Sequence, residues 1–129
     1  MSAVDNLIKE QFVPFRQKVI ETLRTKHPHI LPIVDRVLSG KKNRIGLQVT
    51  ENGNIIGEFT FHLNGINIEE TKSDNLSPEF NHPFLGMIKP YIVVEKKALE
   101  SIIQDEAFSH EPLSTFGKHL PNIIVKFKN

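Results

Sequence analysis

Six histidines carry the most versatile side-chain chemistry in this sequence, because cysteine is absent. Without a thiol there is no disulfide, and a metal or a nucleophile has to be sought among His, Ser and carboxylates. His27 and His29 form a His-x-His pair across Pro28. Two imidazoles at that spacing share a transition metal only on an extended backbone, and no third His or carboxylate is spaced to complete the set. A polar connection between two helices accounts for the pair without a metal. His62 shares a strand face with Glu58, but four residues of strand span roughly 13 Å, so the carboxylate does not orient the ring. Thr60 lies between them, within reach of either. A general acid–base role for His62 therefore needs a partner from elsewhere in the fold. His82, His110 and His119 fall in loops or near helix ends, where folding can bring distant residues together.

The remaining chemical signals are incomplete. There is no Gly-x-Ser-x-Gly elbow and no glycine-rich phosphate loop. Glu69, Glu70, Asp74 and Glu79 lack the regular spacing of a calcium loop. Gly40-Lys41-Lys42-Asn43-Arg44 is basic and follows a helix C-terminus, where cations complement the helix dipole; the same run could attract an anionic group. The sequence thus points to a binding protein rather than an enzyme, with no catalytic residues, metal or cofactor assigned. An enzyme that uses His62 is kept as an alternative.

These side chains must be positioned by the elements around them. Phe12, Phe15, Val19, Ile20 and Leu23 recur at helical spacing, and Pro14 suits a helix start near Val13. Leu7, Ile8 and Phe12 suggest an earlier turn. A second helix is expected from about Leu31 to Leu38, stopped by Ser39-Gly40. The period then changes to two. Ile45, Leu47 and Val49 alternate with polar residues and Gly46, as do Phe59, Phe61 and Leu63, and Ile66 and Ile68 give a third strand. Asn52-Gly53 and Asn64-Gly65 mark tight turns, so these strands form an antiparallel meander. Glu69 to Lys89 reads as an irregular connection, too apolar for a solvated linker, with a short helix around Phe84–Ile88. Tyr91-Ile92-Val93-Val94 is apolar on both faces and reads as an interior strand. Two short amphipathic helices follow, around Ala98–Ile103 and Leu113–Leu120, and Ile123–Phe127 closes the chain as a strand.

The expected fold is α+β: N-terminal helices, a meander, then strand-helix-helix-strand completing a five-stranded sheet covered by helices. We expect one domain over residues 1–129. Its parts are a helical segment 1–40, a meander 44–69, a connection 70–89 and a closing unit 90–129. Charge is nearly balanced, at +1 formally, which does not suggest a nucleic-acid partner. The start lacks the basic and apolar regions of a signal peptide, and the apolar runs are too short to span a bilayer. These features suggest a cytoplasmic protein. Nine of the ten aromatic residues are Phe and none is Trp, which suits a dry interior. An apolar ligand site is therefore placed on Phe59, Phe61, Leu63, Phe84, Met87 and Phe116, with residues 75–88 as its cover. Its partner would be an apolar small molecule or lipid. If the same surface is instead covered by protein, the chain is an interaction module or homodimer with a filled core.

Two stretches carry a resemblance. RIGLQVTENGNIIGEFTFHLNGINI, from Arg44 to Ile68, is similar to the first three strands of the sterol carrier protein family (type two). Between Tyr91 and Phe127, YIVVEKKALESIIQ resembles its fourth strand and following helix, and LSTFGKHLPNIIVKF its closing part. The resemblance covers about half the chain and includes no sharp motif. It implies an α+β fold enclosing an apolar tunnel for lipids or acyl chains, and it offers no catalytic residues. The sequence departs from the family in its long connection around Ser73–Lys89 and in His119-Leu120-Pro121.

Overall fold

The computed structural model describes residues 3–38 and 41–129. Val4, Leu7, Ile8 and Phe12 recur three or four residues apart, and the chain is already helical at Ala3. Helix α1 (Ala3–Asn6) continues through a π-helical stretch (Leu7–Phe12) into helix α2 (Val13–Lys26). Helix α2 starts at Val13 as expected, but the earlier turn expected at Leu7, Ile8 and Phe12 is a helical stretch that runs into it without a break. Proline lacks an N–H, and its ring crowds the carbonyl four residues back. Here the turn ahead of Pro14 is widened: the Val13 N–H donates to the Ile8 carbonyl, five residues back. Pro14 then sits in the first turn of α2, where its missing donor does no harm. Helix α3 (Ile30–Leu38) follows. Its expected Ser39-Gly40 stop lies outside the described residues.

Strands β1 (Lys42–Glu51), β2 (Asn54–Asn64) and β3 (Asn67–Ser73) form the meander. Asn52 and Gly53 both have positive φ, at 52° and 82°, as a two-residue hairpin turn requires. Strand β6 (Pro90–Glu95) pairs in parallel with β1, and β7 (Ile123–Phe127) pairs antiparallel with β6. The sheet order is β3-β2-β1-β6-β7, which places the doubly apolar β6 in the interior, as its sequence requires. Between β6 and β7 run helix α4 (Lys96–Gln104), a 3-10 turn (Glu106–Ser109), helix α5 (Pro112–His119) and a second 3-10 turn (Leu120–Asn122). The architecture is α+β.

One sheet face is sealed by the N-terminal helix. Val4, Leu7 and Ile8 pack with Leu47, Val49, Phe59, Phe61, Leu63, Val94 and Leu99 in the buried core. The Phe12 and Phe61 rings lie 5.7 Å apart. Each buried aliphatic or aromatic side chain in this layer contributes about 1.5–3 kcal/mol.

The other sheet face is covered by the connection after β3, which is more ordered than its sequence suggests. The Thr60 hydroxyl lies 2.7 Å from Asn75 Oδ1 and accepts the Ser77 N–H at 2.9 Å. Glu79 exchanges backbone hydrogen bonds with Arg44 on β1, filling the position beside β1 that β6 does not reach. Asn43 Oδ1 accepts the Asn81 N–H. Strands β4 (Phe80–His82) and β5 (Gly86–Ile88) then form a small hairpin. This corrects the helix expected at Phe84–Ile88. Gly86 has a φ of 75°, and His82 Nδ1 accepts the N–H groups of Phe84 and Leu85 at 3.1 and 3.0 Å. A positive φ and a side-chain cap close a turn instead of propagating a helix.

Gly46 is where this outer strap meets the sheet. A Cβ there would lie 2.6 Å from Leu76 Cδ1 and 2.7 Å from Tyr91 Cβ, and the second atom is anchored to the backbone. Gly46→Ala is expected to destabilise the fold by about 1–3 kcal/mol in urea unfolding. Gly117→Ala, in helix α5 with nothing within 4 Å of its Cβ position, should stabilise by about 0.5–1 kcal/mol. Equal effects at the two positions would contradict the close approach at Gly46.

Candidate functional site

The six residues expected to line a site fall into two sets. Phe59, Phe61 and Leu63 are 0%, 7% and 6% exposed and belong to the core beneath the N-terminal helix. Phe84, Met87 and Phe116 are 90%, 51% and 50% exposed. The structure does not bring the six together. Val4, Leu7 and Ile8 occupy the face where an apolar ligand was expected, while residues 74–79 cover the opposite face.

The histidines also separate. His27 caps the end of α2 and His29 is exposed. His62 is flanked in the register by Arg44 and Glu70, and Glu58 is engaged by Gln48 at 3.0 Å. Among the described residues, no three His, Asp or Glu side chains gather as metal ligands.

Helix α2 leaves a cleft where it passes the end of α4. Its position follows from the continuous N-terminal helix: the first turns rest on the sheet, and the later turns overhang it. Phe15, Lys18, Val19 and Thr22 form one wall of the cleft. Ile103, Asp105, Glu106, Phe108, Ser109 and His110 form the other, and the volume is about 220 Å³. Phe15 meets Phe108 edge-on, with centroids 5.2 Å apart. The floor is thus Phe15, Val19, Ile103 and Phe108, and the rim is charged or hydroxylic. A second depression, lined by Glu51, Asn52, Glu95, Lys96, Lys97 and Ala98, has no comparable apolar floor.

Asp105 fixes the far wall. Its Oδ1 accepts the Ala107 N–H at 3.0 Å and so caps the 3-10 turn. Its Oδ2 meets Lys118 Nζ at 2.8 Å and His119 Nε2 at 2.9 Å. The His119 ring stacks on Phe108, with centroids 5.8 Å apart at 11°. Asp105 therefore ties the turn carrying Phe108 to the last turn of α5. The Lys118, His119 and Ala107 hydrogen bonds hold its carboxyl well below the usual carboxylate range. An Asp opening a turn and a Lys-His pair closing a helix are visible in the sequence, but only the fold shows that they meet.

A depressed carboxyl contributes stability that is fully present above the unfolded-state pKa of about 4 and is lost as pH falls through the folded value. Asp105→Asn should therefore lower stability at neutral pH and flatten its decline below about pH 4, as read by urea midpoints across pH. An unchanged acid limb would contradict this role.

Among the described residues, no helix is long and apolar enough to cross a membrane. No family model matches the sequence, and no curated protein matches it. A similar solved structure is the solution structure of a conserved hypothetical protein from Thermus thermophilus, described as a possible sterol carrier protein. It has 12% identity and a TM-score of 0.40, over 90% of this chain and 70% of that one.

Proposed function

We propose that this chain binds a small apolar molecule, or the apolar end of a lipid-like one, in the cleft between α2 and residues 103–110. The observation that carries this reading is the partly exposed floor of Phe15, Val19 and Ile103, backed by the buried Phe108, inside a polar rim. Apolar floors with a few convergent polar groups are the usual form of small-molecule sites. Lys18 and His110 stand on the rim, suited to a ligand with a carboxylate or another polar end.

Size limits the ligand. At about 30 Å³ per water-sized group, the cleft accepts roughly seven heavy atoms. Burial of as many methylenes would contribute about 5–6 kcal/mol, and association costs at least about 4 kcal/mol of that. The reading therefore calls for weak, exchangeable binding, with a Kd on the order of tens of millimolar or weaker unless rim contacts add to it. No bond-making chemistry is assigned to the cleft.

Sodium decanoate titrated into isotope-labelled protein provides the test. Amide shifts should concentrate in residues 15–22 and 103–110 and be lost in a folded Val19→Glu variant. Absence of saturable shifts, or the same shifts in that variant, would refute the site.

A further inference from the structure

The β4–β5 hairpin serves no purpose in the cleft, and its tip is the most exposed apolar feature described. Glu79 pairs antiparallel with Arg44, so the chain entering β4 runs towards the start of β1. The hairpin therefore carries its tip past that end of the sheet before β5 returns to β6. At the tip, Phe84, Leu85 and Met87 are all largely exposed. The turn is built to keep them so: His82 Nδ1 accepts the N–H groups of Phe84 and Leu85. The amides are thereby satisfied inside the turn, while the apolar side chains project outwards.

The same end of the sheet is basic. Lys41, Lys42 and Arg44 lie at the start of β1, Lys89 follows β5, and Lys128 follows β7. Lys42 and Arg44 are paired with Glu69 and Glu79, and Glu70 adds a third acid nearby. Lys41, Lys89 and Lys128 enter no ion pair with Asp or Glu among the described residues; Lys89 and Lys128 contact only the backbone oxygens of Asn129 and Leu76. The whole chain carries +1, so this end holds more positive charge than the molecule's overall balance suggests.

We propose that the β4–β5 hairpin docks the chain on an anionic lipid bilayer, with Phe84, Leu85 and Met87 entering the headgroup–acyl boundary and the surrounding lysines facing the headgroups. A convex tip with basic residues behind it fits a bilayer, where apolar side chains enter and cations stay among anionic headgroups. It fits a protein partner poorly, because a specific interface buries about 800 Å² on each side and three side chains on a narrow hairpin fall short of that. The docking surface is separate from the cleft and does not rest on the function proposed for it.

Sedimentation with phosphatidylcholine vesicles, with and without 30 mol% (about one lipid in three) phosphatidylserine, tests the proposal. The protein should partition onto the anionic vesicles, less so in high salt, and weakly onto neutral ones. Phe84→Ser with Leu85→Ser alters only exposed side chains and should weaken partitioning at least about tenfold while circular dichroism stays unchanged. Val19→Glu should partition like the parent. Failure of the parent to bind, or unchanged binding by the hairpin variant, would overturn the proposal. Loss of binding in Val19→Glu but not in the hairpin variant would assign the sedimentation to lipid captured in the cleft, which also overturns it. So would loss of self-association in the hairpin variant, because the tip would then be a contact between protein copies.

Discussion

The N-terminal helix reaches the sheet through a few close contacts, and the position of its own later turns follows from them. Val4 packs directly over Gly57, where any Cβ would come within 2.6 Å of its Cγ1. Leu7 and Ile8 fill the space above the sheet beside the two phenylalanines of β2, and Phe12 closes the layer against Phe61. Because the π-helical stretch lets the helix pass Pro14 without breaking, the geometry fixed at its first turns extends to Phe15 and Val19. Those residues overhang the end of α4, and the cleft is the space left beneath them. A break at Pro14 would have uncoupled the two ends of this helix.

Much of the fold was legible in the sequence because it rests on local patterns. Alternation in Ile45–Val49 and Phe59–Leu63, the Asn-Gly turns, and the doubly apolar Tyr91–Val94 each specify a conformation without reference to distant parts. Pro14, read locally, starts a helix, and α2 does begin there; the local reading omits the widened turn that joins α2 to the helical residues before it. At Phe84–Ile88 the apolar pattern suggested a helix. The deciding features were a positive φ at Gly86 and a histidine nitrogen turned back onto two amides, and neither has a periodic signature.

The candidate site was less legible than the fold. Apolar residues on a strand announce that they will be covered, but not by what. Phe59, Phe61 and Leu63 are covered by Val4, Leu7 and Ile8, of which the sequence offered only Leu7 and Ile8, in an early turn. The cleft residues were distributed among a helix face, a helix end and a 3-10 turn. Their convergence depends on Asp105 meeting Lys118 and His119, a contact between segments that no spacing rule connects. The face expected to hold a ligand is therefore filled, and the space that remains lies at its margin.

The most direct test of this arrangement is anomalous diffraction from crystals soaked with a brominated decanoic acid. The account predicts a bromine peak in the cleft beside Phe15, Val19 and Ile103, with the sheet-facing side of the N-terminal helix unchanged. A peak between that helix and the sheet, beside Phe61, would show that the core opens as an internal tunnel. That result would contradict both the sealed face and the marginal cleft.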